Sequence, residues 1–224
     1  MITLIIPYLN ERENFNLIKN NLLFFKKNKH LVVDGNSKDK SFLIFKENKI
    51  NFITTKPNRG LQQLKGAKKS NTKWLFFLHA DVLLSKKNIH DMENFVDSND
   101  LDKVGYFKIS YNKKSFMAYL ISSWANLRTL IFKLPFGDQG LIISREYYFK
   151  LGGHTNQKIM EDLELILKVP KKNRIFLKSK IITSYRAYEK KGGLIQGAIH
   201  LLCQLMFLLK FNKKYIYYIY GCHE

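Results

Sequence analysis

Trp74-Leu75-Phe76-Phe77-Leu78-His79-Ala80-Asp81 is the stretch on which the reading of the chain turns. Five apolar residues, rich in aromatics and too few for a helix of ordinary length, run without interruption into a histidine and an aspartate. An unbroken run of this kind suits a strand buried on both faces. Similar short runs lie upstream at Ile2–Tyr8, Leu31–Asp34 and Phe52–Thr55, separated by segments with helical spacing near 13–27, 38–48 and 60–70. Strands alternating with helices imply a parallel sheet with crossover connections, a Rossmann-like α/β arrangement. Ligands of such sheets sit beyond the carboxyl ends of the strands. Tyr8-Leu9-Asn10-Glu11, Asp34-Gly35-Asn36-Ser37 and His79-Ala80-Asp81 all fall at those ends.

The second half is less regular. Val104–Tyr111 reads as a strand, and Ser115–Phe132 as an amphipathic helix carrying Trp124, Asn126 and Arg128. Pro135-Phe136-Gly137-Asp138-Gln139-Gly140 is a turn before a strand at Leu141–Ser144, and Gly152-Gly153 closes a short helix. A helix is expected from Glu161 to about Val169, stopped by Pro170, followed by a strand over Ile175–Ser184. Leu194–Leu209 then runs without a charged side chain, and its strongly polar residues Gln196, His200 and Gln204, spaced by four, make one narrow stripe on a helix. That run is too short and too striped for a membrane span. A helix in the membrane interface, a helix packed on the domain and a dimer interface all fit it.

With 224 residues, 46% of them hydrophobic, the chain supports one α/β domain with appended elements: 1–193 as the domain and 194–224 as a C-terminal helical extension. Cys203 and Cys222 are the only cysteines, which excludes a disulfide framework and fits a reducing, cytosolic compartment. Met1–Leu9 lacks a basic n-region and a cleavage site, so it reads as a first strand and not as a signal peptide. Lysine and arginine outnumber acids 38 to 18, which suits an anionic partner but equally fits the Lys-, Asn-, Ile- and Phe-rich usage of an AT-rich genome. Lys168–Lys191 is the more specific signal, with nine basic residues against Glu189.

Each polar cluster has both a structural and a chemical reading. Asp34 before Gly35 and Ser37 can cap a helix or accept from a base or ribose. Asp81 can be a cap, or can join His79 on one side of the strand end to hold Mg²⁺ or Mn²⁺ against a diphosphate leaving group. Glu161 and Asp162 suit a helix start by the dipole, and Asp162 can equally take the proton of an attacking hydroxyl.

In order and spacing, Ile6-Pro7-Tyr8-Leu9-Asn10-Glu11, Val32-Val33-Asp34-Gly35-Asn36-Ser37-Lys38-Asp39, Phe77-Leu78-His79-Ala80-Asp81 and Glu161-Asp162 resemble the family 2 glycosyltransferases of GT-A fold, over residues 2 to about 193. Ala125-Asn126-Leu127-Arg128, Phe136–Gly140, Leu151-Gly152-Gly153, Met160-Glu161-Asp162 and Thr183-Ser184-Tyr185-Arg186 are similar to the bacterial arsenosugar-biosynthesis-type subgroup. The resemblance implies an α/β GT-A fold: a mixed, mostly parallel central sheet flanked by helices, with amphipathic C-terminal helices. It also implies an inverting, hexosyltransferase-like enzyme that moves a sugar from a nucleotide-diphospho sugar to an acceptor hydroxyl or phosphate. Pro7, Asn10, Glu11, Asp34, Ser37, Arg59, Gln62, Ala80 and Asp81 would then bind the donor, and Asp81 with His79 the metal. Asp138, Gln139 and Arg186 would line the sugar or acceptor pocket, with Asp162, beside Glu161, as general base. His79 stands where the family has a first carboxylate, Ala187 where the subgroup has a second arginine, and His154 where an aromatic is usual.

The expected partners are a nucleotide-sugar donor and a lipid-linked or small-metabolite acceptor. A cytoplasmic location with peripheral contact to the inner face of the cell membrane through 194–220 is expected, and a homodimer is a further option. The rival enzyme class, a nucleotidyltransferase, would carry a Gly-rich basic loop after the first strand, and Tyr8–Glu11 has none. A basic RNA-binding or membrane-binding module without catalysis is supported by net charge alone; the aromatic stacking signatures of common RNA modules are missing, so no nucleic acid is expected.

Overall fold

A computed structural model describes residues 1–25, 29–157 and 159–221. Its strands are β1 (Ile2–Tyr8), β2 (Lys29–Asp34), β3 (Phe52–Thr54), β4 (Trp74–Phe77), β5 (Val82–Leu83), β6 (Val104–Tyr111), β7 (Leu141–Ser144) and β8 (Arg174–Thr183). Between and after them lie α1 (Phe15–Phe24), α2 (Ser41–Glu47), α3 (Arg59–Lys69), α4 (Lys86–Asp97), α5 (Phe116–Phe132), α6 (Arg145–Lys150), α7 (Glu161–Leu167), α8 (Arg186–Lys191), α9 (Gly193–Leu208) and α10 (Lys213–Tyr220).

The strands form one mixed sheet in the order β3-β2-β1-β4-β7-β6-β8-β5. β3, β2, β1 and β4 are parallel, as the alternation of the first half predicts. β7 enters antiparallel to both β4 and β6, and β8 returns parallel to β6. Pro7 is accommodated in a central strand because β4 pairs with β1 only over Ile2–Ile5, so no ladder bond is asked of its nitrogen on that side.

Period-two alternation divides β1 between two cores. Leu4, Ile6 and Tyr8 face one with Ile18 of α1, Phe45 of α2 and Phe95 of α4, whereas Ile5 faces the other with Ala67 of α3, Tyr148 of α6 and Leu165 of α7. Gly66 lets α3 lie close against the sheet, since a Cβ there would come within 2.5 Å of Ile5 Cγ2. The short edge strand β5 and helix α4 have no counterpart in the sequence reading. β5 is two residues long, and α4 carries only Met92 and Phe95 as buried apolar residues.

At the C-terminus, α9 and α10 pack around Cys203, Ile216 and Ile159. The expected polar stripe turns inward. Gln196 and Gln204 are buried, Gln204 accepts from Arg128 of α5 (2.8 Å), and the exposed large apolar residues are Ile195, Leu202, Leu205, Leu208 and Leu209. Among the described residues no helix is long and apolar enough to cross a membrane. Cys222 lies outside the described residues.

Candidate active site

Two cavities meet at the carboxyl end of β4. One, of about 790 Å³, is bounded by Pro7 in β1 and Glu11 beyond it, by Lys56, Pro57, Asn58, Arg59, Leu61 and Gln62 around the start of α3, and by His79, Ala80 and Asp81. The other, of about 290 Å³, contains Asp138, Glu161 and Asp162 and is bounded outward by α5 and α9. Arg59, His79 and Asp81 line both. They stand where the parallel half of the sheet gives way to the antiparallel half, at the change of direction that favours ligand sites.

Local structure explains how each side chain arrives there. β4 ends at Phe77, Leu78 N still donates to Ile5 O (3.0 Å), and the turn closed by Val82 N to His79 O delivers His79 and Asp81 to both cavities. Asn58 caps α3 by accepting from Leu61 N (2.9 Å), which sets Arg59, Gln62 and Gln63 on its first turns. α7 has no side-chain cap. Met160 in the left-handed region turns the chain so that Glu161 and Asp162 occupy the first turn, where the helix dipole favours carboxylates.

Asp162 is held on several sides. His154 Nε2 bonds Asp162 Oδ1 (3.0 Å), Gln63 Nε2 donates to the same oxygen (3.2 Å), and His79 Nε2 stands 3.7 Å from Oδ2. His154 is itself held through Nδ1 by the Tyr148 hydroxyl (3.0 Å). Burial would raise the Asp162 carboxyl, but the bond from His154 and the nearness of His79 outweigh it and hold the group far below the usual carboxylate range. Burial lowers and Asp162 raises the His79 imidazole, with a net shift upward. The other carboxyls are pushed up, chiefly by burial: Asp138, Asp81, and Glu161, which also feels the charge of Asp162. Arg59 stands 3.5 Å from Glu161 as its counter-charge.

His79, Glu161 and Asp162 each offer a ligand atom within 4.8 Å of the others. His79 Nε2 and Glu161 Oε1 are buried and have no hydrogen-bond partner among the described residues. Buried ligand atoms that make no hydrogen bond and only long ion pairs, to Arg59 and to Asp162, with Asp81 and Asp138 alongside, suit a divalent cation. Gly137 leaves the room: a Cβ there would overlap both Asp162 Oδ2 and His79 Nε2.

The remaining expected residues divide. Asp34 accepts from Ser37 Oγ (2.5 Å), Ser37 Oγ accepts from Asn10 N (2.9 Å), and Asn10 Oδ1 accepts from Lys38 N (2.8 Å), a polar web across the ends of β1 and β2 beside the larger cavity. Gln62 lines that cavity but commits its amide nitrogen to Tyr8 O and Val33 O (2.7 Å each). Gln139 is fully buried, donating to Phe107 O (2.9 Å) and accepting from Phe136 N (3.1 Å) and Thr129 Oγ1 (3.0 Å), so it builds the turn that presents Asp138. Arg186 lines neither of the two cavities. It donates to both carboxylate oxygens of Glu11 (3.0 and 2.9 Å) and pairs with Glu13. Gln63, His154 and the wall residues Arg128, Tyr111 and Tyr188 are the additions made by the structure. The pair Gln62-Gln63 on one helical turn carried a signal for Gln63; nothing local carried one for the tyrosines.

Comparison with known proteins bears on the same region. The sequence family described as glycosyl transferase family 2 matches residues 3–158. No curated protein matches the chain significantly. Among solved structures, TarS 1–349 of S. aureus superposes with a TM-score of 0.61 at 16% identity, covering 98% of this chain and 69% of that one. The mannosyltransferase PcManGT of Pyrobaculum calidifontis, in complex with GDP-Man and Mn²⁺, gives 0.67 at 14% identity, covering 94% and 64%. Glucosyl-3-phosphoglycerate synthase of Mycobacterium tuberculosis, with Mn²⁺, UDP-glucose and phosphoglyceric acid, gives 0.67 at 9%, covering 95% and 80%. The chain thus spans about two thirds of the first two, and at such identities the likeness concerns the fold alone. The sequence match, which extends through β1, β4 and the loop that carries His154, is the stronger finding: the chain belongs to glycosyl transferase family 2.

Proposed function

We propose that the chain transfers a sugar from a nucleotide-diphospho donor to an acceptor oxygen with inversion at the anomeric carbon. The observation that carries this reading is the meeting of the two cavities at Arg59, His79 and Asp81, with Asp162 on the far side of the junction. The larger cavity, edged by Pro7, Glu11, Arg59, Gln62 and Ala80, would hold the nucleotide, with Asn10, Asp34 and Ser37 behind it. The smaller would hold the acceptor against Asp138. Asp81 and His79, with Glu161 within reach, would hold Mg²⁺ or Mn²⁺, which supplies positive charge to the departing diphosphate. Within the cleft the acceptor oxygen attacks the anomeric carbon, the bond to the diphosphate breaks, and Asp162 takes the hydroxyl proton. His154 and Gln63 fix its orientation. Residues 1–193 are the catalytic unit in this reading, and α9 and α10 of the extension wall the acceptor side. The Ala125–Arg128 and Phe136–Gly140 signatures support the arsenosugar-biosynthesis-type subgroup without naming a substrate.

A second assignment of the base rests on one observation. His154 and His79 steady Asp162 at the expense of its basicity, whereas burial raises Asp138 toward the range in which a base is most efficient. Melting the purified protein with UDP-, GDP- and dTDP-sugars, with and without Mn²⁺, tests donor binding. A donor at 100 times its dissociation constant adds about 2.7 kcal/mol, several degrees for a chain of this size. Asp162→Asn should retain that shift and lose transfer by roughly 10² to 10⁴. If Asp138→Asn loses transfer and Asp162→Asn does not, the base is Asp138. If no donor moves the melting temperature, the transferase reading fails.

A further inference from the structure

The helices beside the smaller cavity turn apolar faces to solvent. α5 exposes Phe116 (76%), Tyr119, Leu130 and Ile131 (61%), and α9 exposes Leu205 and, at its end, Leu209 (70%). The two helices are neighbours, joined by the Arg128–Gln204 bond, so their outer faces are continuous. An exposed apolar surface of this kind marks a contact.

Charge identifies what covers it. No acidic residue occurs between Asp102 and Asp138, nor between Glu189 and Glu224, so both helices lie in acid-free segments. Exposed lysines stand at their ends: Lys114 before α5, Lys210 after α9 and Lys214 on the first turn of α10. A second copy joined by a two-fold axis would set one lysine rim against another with no local acid to answer it, and lysine is depleted from protein interfaces. An anionic bilayer offers apolar depth and negative charge together. Trp124 of α5 and Tyr215 and Tyr218 of α10, all exposed, are side chains that favour the lipid–water boundary. The cavity holding Asp162 is walled by Ile121, Trp124 and Ala125 of α5 and by Gly197, Leu201 and Gln204 of α9, and the exposed Trp124 carries that wall out to the apolar face.

We propose that the α5–α9–α10 face docks on an anionic lipid surface and that the acceptor reaches Asp162 between α5 and α9 from that surface, as an amphiphile whose headgroup bears the attacking oxygen. The docking stands on the surface alone; the acceptor class rests on the transferase reading above.

The chain carries its own probe, because Trp74 is 1% exposed in the core and Trp124 is 54% exposed at the cavity mouth. The full chain is mixed with phosphatidylcholine vesicles with or without phosphatidylglycerol, sedimented, and its fluorescence quenched with brominated acyl chains. Binding to the mixed vesicles, weakened by salt, is expected, with a quenched component that disappears in Trp124→Phe. The double variant Ile131→Glu/Leu209→Glu should bind at least about tenfold more weakly, with circular dichroism and melting temperature unchanged. No sedimentation, equal binding to neutral vesicles, or bound protein whose Trp124 is not quenched would each overturn the proposal. So would a dimer by light scattering that the double variant dissociates, since the face would then belong to a second copy. The nucleotide-sugar melting panel on the same preparation keeps the readings apart: vesicle binding without any donor shift overturns the transferase, and the reverse overturns the docking.

Discussion

Single residues decide whether the cleft has room for chemistry. Gly137 is required by space, since any side chain would occupy the point where Asp162 Oδ2 and His79 Nε2 approach each other. Gly137→Ala should therefore cut transfer by at least about 100-fold, the usual cost of displacing a reacting group by an ångström, with the melting temperature little changed. Steady-state rates beside a thermal melt check this. His154 acts one step back. It is 1% exposed and links the Tyr148 hydroxyl to Asp162, so His154→Phe keeps much of the ring volume but strips two buried groups of their partner. A loss of about 2 kcal/mol in urea unfolding is expected, because an orphaned buried polar group costs about 1 to 3 kcal/mol, while Asp162 keeps Gln63 and the Tyr148 hydroxyl still accepts from the backbone N of residue 154. An unchanged unfolding midpoint would mean that water replaces His154 freely.

At the scale of elements, α3 shows how packing sets the site. Gly66 brings the helix onto β1 and β2, and the same helix carries Arg59, Gln62 and Gln63 at its other end. Gly66→Ala would raise intrinsic helix propensity yet drive a methyl to within 2.5 Å of Ile5 Cγ2 and 3.1 Å of Val33 Cγ2. Overpacking should win, with a net loss of about 1 to 3 kcal/mol measurable by denaturant titration. Opposite outcomes would show that α3 has slack against the sheet. Such elements were legible in sequence because burial on both faces writes unbroken apolar runs: β1, β4 and β7 are wholly buried and were bounded within two residues. β5 and α4 were not, because a two-residue edge strand has no period and α4 presents few apolar residues to the core. The same logic explains the inverted α9. Its polar stripe reads as a solvent face by the ordinary rule, but here the stripe meets Arg128 and the cavity. For Gln139 and Arg186 the residue type was visible, but the partners, Phe107 and Thr129 in one case and Glu11 and Glu13 in the other, are set by tertiary structure alone.

Across the whole molecule a chain of formal charge +20 gathers Asp81, Asp138, Glu161 and Asp162 into one cleft. The acids needed for chemistry are concentrated where the sheet changes direction, answered there by Arg59 and Arg128, and none of the described lysines is fully buried. The cleft is also the seam between the two ends of the chain. Arg186, just after β8, donates to Glu11, just after β1, across 175 residues of sequence. Glu11 lines the larger cavity, so this pair fixes one wall of the proposed donor site from the acceptor side of the fold. Because Arg186 and Glu11 are partly exposed, the pair should contribute no more than about 1 kcal/mol to stability. Its effect on binding should be at least as large, since releasing Glu11 frees one wall of the donor cavity. Arg186→Ala is expected to shift the melting temperature by only a few degrees while weakening donor binding about five- to tenfold by calorimetry. Arg186→Lys should recover little of that affinity, because a single ammonium cannot reproduce the planar fork that sets Nη2 on both oxygens of Glu11 and Nη1 on Glu13 at once. Full recovery by lysine would reduce the contact to simple charge, and undiminished binding in the alanine variant would detach Glu11 from donor recognition altogether.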